Sequence, residues 1–286
     1  MPTLTVRAPA KLNLTLDVLG RRLDGYHDLS MVMQSVALHD EVTITTGTGQ
    51  PLKVRTNLSF LPNNEKNLAA AAALRLQEHT GLDCGGLELS IAKRIPVCAG
   101  MGGGSSDAAA VLRGMNDLLR AGLSPEALAR VGAGVGSDVP YCVLGGTALA
   151  QGRGEVLTPL PPLPKCAAVL CKPSFSVSTP ELFSRLDGVR LRHHPDTDGV
   201  LAALHAGDLA GVARRMYNVF EDVLPARQAA EVHRIKNVLV QHGALGACMS
   251  GTGPTVFGLY ADPAQAQSAH AELSALYRDV FLTETV

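Results

Sequence analysis

Ile95-Pro96-Val97-Cys98-Ala99-Gly100-Met101-Gly102-Gly103-Gly104-Ser105-Ser106-Asp107-Ala108-Ala109-Ala110 leaves an apolar stretch, passes through four glycines and enters an alanine-rich segment. That order predicts a strand, a loop and a helix. Glycines lack the Cβ that keeps an anion off the backbone and reach positive φ, so successive N–H groups can converge on phosphate oxygens. The helix start adds unsatisfied N–H groups and a partial positive charge. Ser105 and Ser106 can donate hydrogen bonds, or one can instead ligate the Mg2+ that accompanies ATP. No lysine follows the glycines as a Walker A loop requires, and Ser105 stands where a dinucleotide fingerprint needs its third glycine. A tight turn without a ligand is the bland alternative.

Outward from this loop, alternating β-branched residues predict strands at Thr3–Arg7, Leu12–Leu19, Val32–Val36, Val42–Thr46 and Leu87–Ile95. Helices are expected at Asn67–His79, Ser105–Ala121 and Pro125–Val135, the last with Ser124 as N-cap. Four prolines between Pro159 and Pro164 suggest a domain boundary, giving residues 1–158 and 159–286; a surface crossing within one α/β body is the other reading. Beyond it, strands at Ala167–Cys171, Ala247–Ser250, Thr255–Tyr260 and Asp279–Thr283 alternate with helices at Pro180–Leu186, Gly199–Met216, Arg227–His242 and Pro263–Leu276, an α+β pattern.

The 25 basic and 26 acidic residues balance to a net charge of −1, which offers no electrostatic footprint for nucleic acid or an anionic membrane. The six cysteines form no C-x-x-C pair, so no zinc cage is written here, and reduced buried thiols are expected. With neither a signal peptide nor an apolar run of spanning length in the sequence, the expectation is a soluble, cytoplasmic protein.

Ala8-Pro9-Ala10-Lys11-Leu12-Asn13-Leu14, the glycine-serine loop and Met249-Ser250-Gly251-Thr252-Gly253-Pro254-Thr255 resemble the three motifs of the GHMP kinases, the family of galactokinase, homoserine kinase and mevalonate kinase. The resemblance spans essentially the whole chain. Asp24-Gly25-Tyr26-His27 and Gly136-Ser137-Asp138-Val139-Pro140 narrow it to members that act on a cytidine-diphosphate-linked methylerythritol. It implies ATP-dependent phosphorylation of that small molecule's 2-hydroxyl, a step of the non-mevalonate isoprenoid route. It also implies a two-domain α+β fold: an N-terminal, ATP-binding lobe like ribosomal protein S5 domain 2 and a ferredoxin-like C-terminal lobe, with substrate between them.

The same resemblance assigns roles. Asp138 is the expected catalytic base, with an ordinary turn or N-cap aspartate as the local alternative. Lys11 is expected beside it, stabilising charge on the acceptor oxygen; a snorkelling lysine is the alternative. Asn13 is expected to hold the methylerythritol, Tyr26 and His27 the cytidine, and Phe183, after Thr179 and Pro180, to stack on the base's other side unless it is core. Asn67 and Lys93 match positions near the adenosine, unless they are an ordinary helix-start asparagine and an exposed strand lysine, and Gly251-Thr252-Gly253 buttresses the active site or is simply a hairpin turn. Cys98 departs from the family, which usually has glycine there; it is a tolerated substitution, a change to the loop's entry or a reactive thiol near ATP. Asp24-Gly25-Tyr26-His27 argues against a homoserine or mevalonate kinase, and Lys11 with Asp138 against a non-catalytic nucleotide sensor.

Overall fold

Every residue from Ala10 to Val18 is buried, with Leu12, Leu14, Leu16 and Val18 alternating with the polar Lys11, Asn13, Thr15 and Asp17. In the computed structural model, which describes residues 1–286, this stretch is one strand, β1, rather than the two expected on either side of Pro9. Proline fixes φ and lacks a backbone donor, but it keeps its carbonyl acceptor. Its carbonyl is paired here by the Ser106 hydroxyl at 2.7 Å, so the strand continues through it. The next two expected strands are likewise one, β2 (His27–Thr46). The polar break expected between them contains Asp40, which is fully buried and accepts hydrogen bonds from the Arg94 and Ile95 amides.

The chain continues through β3 (Lys53–Thr56), α1 (Leu68–Thr80), β4 (Leu87–Ala92), α2 (Gly103–Leu118), α3 (Pro125–Ala133), α4 (Val139–Leu144), β5 (Thr147–Gly152) and β6 (Val156–Pro159). It then forms β7 (Ala167–Lys172), α5 (Thr179–Asp187), α6 (Thr197–His205), α7 (Leu209–Arg214), β8 (Tyr217–Asn218), a 3-10 turn at Val219–Val223, α8 (Ala226–Gln241), β9 (Gly246–Met249), β10 (Val256–Tyr260), α9 (Pro263–Leu276) and β11 (Asp279–Glu284). The helix expected over Gly199–Met216 is two, α6 and α7. Gly207 adopts positive φ between them, and Asp208 caps the second by accepting from the Gly211 amide at 2.8 Å.

Two compact units result, and they cut both long strands. The first comprises Met1–Ala10, Leu38–Val97 and Gly102–Gly145; the second comprises Lys11–Ala37, Cys98–Met101 and Gly146–Val286. In the first, β4 lies between β2, which it meets antiparallel with Val42 opposite Ile91, and β3, which it meets parallel. Helix α2 lies close enough to this layer that a Cβ on Gly114 would stand 2.4 Å from Ile44 Cδ1 and 2.9 Å from Val6 Cγ2. In the second, β5 pairs with β2, and β8 runs parallel to β1.

The second unit also holds an antiparallel sheet of order β11-β7-β10-β9, with α8 and α9 packed on it. Counted along its own chain this is β-α-β-β-α-β with the first strand beside the third and fourth, the ferredoxin-like arrangement. Leu170, Phe257 and Cys248 meet across its centre and are fully buried. The proline run is an irregular crossing from β6 to β7, both in this unit.

The contact at Gly114 is testable. Gly114→Val is expected to cost about 1–3 kcal/mol through overpacking, read as a fall in melting temperature of about 2–4 °C per kcal/mol. An unchanged or raised melting temperature would contradict the close approach of α2.

Candidate functional site

The glycine-serine loop divides at Met101. In the first unit, Gly102 (φ 66°) caps α2 in the left-handed conformation, and Gly103, Gly104, Ser105 and Ser106 form the helix's first turn. Space for a side chain is tight at its first two residues. A Cβ on Gly103 would lie 3.1 Å from Ile95 and 3.3 Å from the Lys93 ammonium, and one on Gly104 would lie 3.2 Å from Leu68. Ser106 is buried with its hydroxyl committed to Pro9 O, while Ser105 is half-buried. Pro96 and Val97 connect this layer to the loop.

Beneath the turn lies a buried charge cluster. The Lys93 ammonium is paired with Asp40 and, at 2.6 Å, with Asp107 Oδ2. All three side chains are almost completely buried, and Asp107 Oδ1 has no hydrogen-bond partner. Burial pushes the Asp107 carboxyl up to about 7, with Asp40 adding to the rise and Lys93 opposing it. Lys93 therefore supports the loop from below with its ammonium fully engaged. Asn67 is similarly committed: it caps α1, accepting from the Ala69 amide at 3.0 Å and donating to Pro62 O at 2.9 Å. Asp138, half-buried, begins α4 after Gly136 and Ser137, and makes no side-chain cap hydrogen bond to that helix.

In the second unit, residues 98–101 dock on the Ser250–Thr255 turn. Cys98 is exposed with φ 53°, the left-handed region that glycine occupies at least cost. The cysteine thus keeps the backbone shape that the usual glycine permits. Ala99 O accepts from Thr255 N at 3.3 Å, Gly100 O from Ser250 Oγ at 2.9 Å, and Met101 O from Lys11 N at 3.1 Å. A Cβ on Gly100 would stand 2.0 Å from Ser250 O, so only glycine fits. Asn13 N donates to Ser250 Oγ at 3.2 Å, and the buried Lys11 ammonium donates to Asn13 Oδ1 at 2.7 Å. One network thus gathers Lys11, Asn13, Gly100, Met101 and Ser250.

The Gly251-Thr252-Gly253 turn has positive φ at both glycines, and Asn218 Nδ2 fixes it by donating to Met249 O and Gly251 O, each at 2.7 Å. Thr252 shares a 2.9 Å hydrogen bond with Thr179, which with Pro180 opens α5. That helix carries Phe183, stacked on the His27 ring at a centroid distance of 4.6 Å and met edge-on by Phe220. His27 is buried and Tyr26 is exposed, with the Arg153 guanidinium 4.9 Å from the Tyr26 ring centre.

Sequence reasoning missed Asp40, Asp107, Ser250 and Asn218 as partners of these residues. Asp107 and Ser250 lay inside quoted motifs and were within reach. The others depend on pairings made over long stretches of chain.

Two family models match the chain: GHMP kinases N terminal domain over residues 67–146 and GHMP kinases C terminal over residues 200–279. The chain belongs to the GHMP kinase family. This GHMP kinase is 43% identical over 285 residues to 4-diphosphocytidyl-2-C-methyl-D-erythritol kinase of Alkaliphilus metalliredigens, covering 100% of this chain and 97% of the relative. It is 45% identical over 289 residues to the enzyme of that name from Moorella thermoacetica, covering 100% of both. A crystal structure of 4-(cytidine 5'-diphospho)-2C-methyl-D-erythritol kinase matches with a TM-score of 0.81 at 32% identity over 99% of each chain. Homoserine kinase from Cytophaga hutchinsonii, at 20% identity and a TM-score of 0.75 over 100% of this chain and 95% of its own, shares the fold. The GHMP kinase assignment makes this chain an ATP-dependent small-molecule kinase of two-domain α+β architecture.

The buried cluster generates a pH prediction. Between the ordinary value of 3.8 and about 7, the folded protein keeps a proton on Asp107 that the unfolded chain releases. Raising the pH through that window therefore lowers stability. Relative to Asp107→Asn, wild type is expected to lose on the order of 2–4 kcal/mol from pH 4 to pH 7 and little above it. Parallel urea-denaturation curves for the two proteins across this range would contradict the assignment.

Proposed function

We propose that this kinase transfers the γ-phosphoryl group of ATP to the 2-hydroxyl of 4-diphosphocytidyl-2-C-methyl-D-erythritol, giving the 2-phosphate and ADP in the non-mevalonate isoprenoid route. The observation that carries this reading is end-to-end identity of 43–45% with curated enzymes of that name. Support from the chain itself is Phe183 stacked on His27, next in sequence to the exposed Tyr26, aromatic surface suited to a nucleobase that homoserine and mevalonate lack.

Phosphoryl transfer asks a protein mainly to position groups and to neutralise charge. In this reading Pro96 through Ser106 wrap the ATP phosphates, with Gly102–Ser106 contributing helix-start N–H groups. Lys93 acts by holding the loop, and Asn67 by fixing the start of α1. Asp138 accepts the proton of the acceptor hydroxyl. Lys11, oriented by Asn13, stabilises the negative charge that develops on its oxygen. Asn13 also meets the methylerythritol. Tyr26 and His27 hold the cytidine, with Phe183 stacking at its other side, and Thr179, Pro180 and Gly251-Thr252-Gly253 frame the substrate.

Mg2+ would neutralise phosphate charge. Ser105 suits it better than Ser106, whose hydroxyl is engaged, and no cluster of three or more His, Cys, Asp or Glu offers a cage of its own. We assign residues 1–158 to the ATP-binding domain and 159–286 to the C-terminal domain, in keeping with the two family matches. No helix is long and apolar enough to cross a membrane. With a near-neutral charge and six cysteines that form no disulfide, the chain suits cytoplasmic work on a small molecule, without nucleic acid or membrane partners.

An ADP-release assay tests the proposal. The cytidyl methylerythritol is expected to be turned over and homoserine and mevalonate not; turnover of homoserine alone would refute it. Asp138→Asn is expected to lower kcat by about 10²–10⁴-fold while ATP binding is retained, and an unchanged kcat would remove Asp138 from the mechanism.

A further inference from the structure

His27 opens β2 with its side chain only 8% exposed, and its Nε2 lies 2.8 Å from Oδ1 of Asp187, the last residue of α5. A carboxylate only accepts, so Nε2 carries the proton. The second carboxylate oxygen lies 3.8 Å from Arg21 Nη1. Phe183 covers one face of the imidazole in a near-parallel stack, and the fully buried Phe220 holds Phe183 edge-on at 4.9 Å. Turning the ring over would place a C–H against the carboxylate and forfeit the hydrogen bond, so the orientation is fixed from two sides. In the neutral ring, Nδ1 is then an acceptor. It makes no protein hydrogen bond, yet it is not among the fully buried unpaired atoms. Its lone pair is open to a ligand donor.

We propose that Asp187 is a positioning residue that locks His27 in this orientation and so makes the site select a pyrimidine bearing an exocyclic amino group. The inference rests on the reading that Tyr26 and His27 hold the substrate's base. Cytosine presents an amino donor where uracil presents a carbonyl acceptor. Nδ1 pairs with the first and faces the second lone pair to lone pair. A site that reads a base through a fixed acceptor rejects the analogue lacking the donor far more strongly than an apolar pocket does.

The test compares kcat/KM for the cytidyl substrate and its uridyl analogue in wild type, Asp187→Ala and Asp187→Asn. Wild type is expected to favour the cytidyl substrate by about 10²-fold or more. Asp187→Ala is expected to reduce that preference at least about tenfold, with the KM for ATP unchanged. Asp187→Asn keeps an acceptor oxygen and is expected to restore most of it. Loss of activity on both substrates with their ratio kept would overturn the proposal and leave Asp187 a purely structural role. A wild type that turns over both equally would overturn it too, with the kinase assignment standing. A wild type active on neither would sink that assignment and this inference together.

Discussion

The close approach of the Gly100 backbone to Ser250 is the constraint on which the second unit's part of the site depends. The 2.0 Å that would separate a Gly100 Cβ from Ser250 O leaves no room for any side chain. Three hydrogen bonds, from Thr255 N, Ser250 Oγ and Lys11 N, then tie the carbonyls of Ala99, Gly100 and Met101 in sequence. The loop's first residues are thereby held to a turn about 150 positions further along the chain and to the strand that carries Lys11 and Asn13. The Lys11 ammonium and the backbone of residues 99–101 thus share one scaffold, which in the proposed reaction limits the reorganisation left for the moment of transfer.

The first unit solves a different problem, keeping four glycines and a helix start in shape with almost no side chains to hold them. Lys93 does this from within, its ammonium bridging Asp40 on β2 and Asp107 on α2. Such an arrangement is costly to bury and stabilises poorly when one partner is missing. The unpartnered Asp107 Oδ1 and its raised pKa are the signature of that cost. Its value lies in fixing one geometry: β2, the chain entering the loop and the start of α2 cannot shift separately without breaking a hydrogen bond of the Lys93 ammonium.

Much of this was legible in the sequence wherever the signal was local. Ser124 with Pro125 marked the start of α3, the alanine-rich tract after the glycines marked α2, and the strands of the ferredoxin-like sheet followed their apolar runs. Local rules failed at Pro9 and at His39-Asp40, where a strand break was expected and tertiary partners satisfied the polar groups instead. The helix-start reading of Asn67 was equally local, whereas the partners of Lys93 come from 53 and 14 residues away and no local rule finds them. Cys98 shows the reverse case: the backbone retains the left-handed conformation although its side chain disfavours it, so the surrounding hydrogen bonds dictate the shape.

In the proposed reaction the γ-phosphoryl group held by this glycine-serine loop passes to one alcohol, the tertiary 2-hydroxyl of the cytidyl methylerythritol. A phosphorus NMR spectrum of the purified product, made from ATP and carbon-13-labelled acceptor, addresses it most directly. The account predicts one new phosphomonoester signal coupled to the tertiary carbon, with both diphosphate signals retained. A phosphomonoester on a primary or secondary carbon, or inorganic phosphate alone, would contradict it.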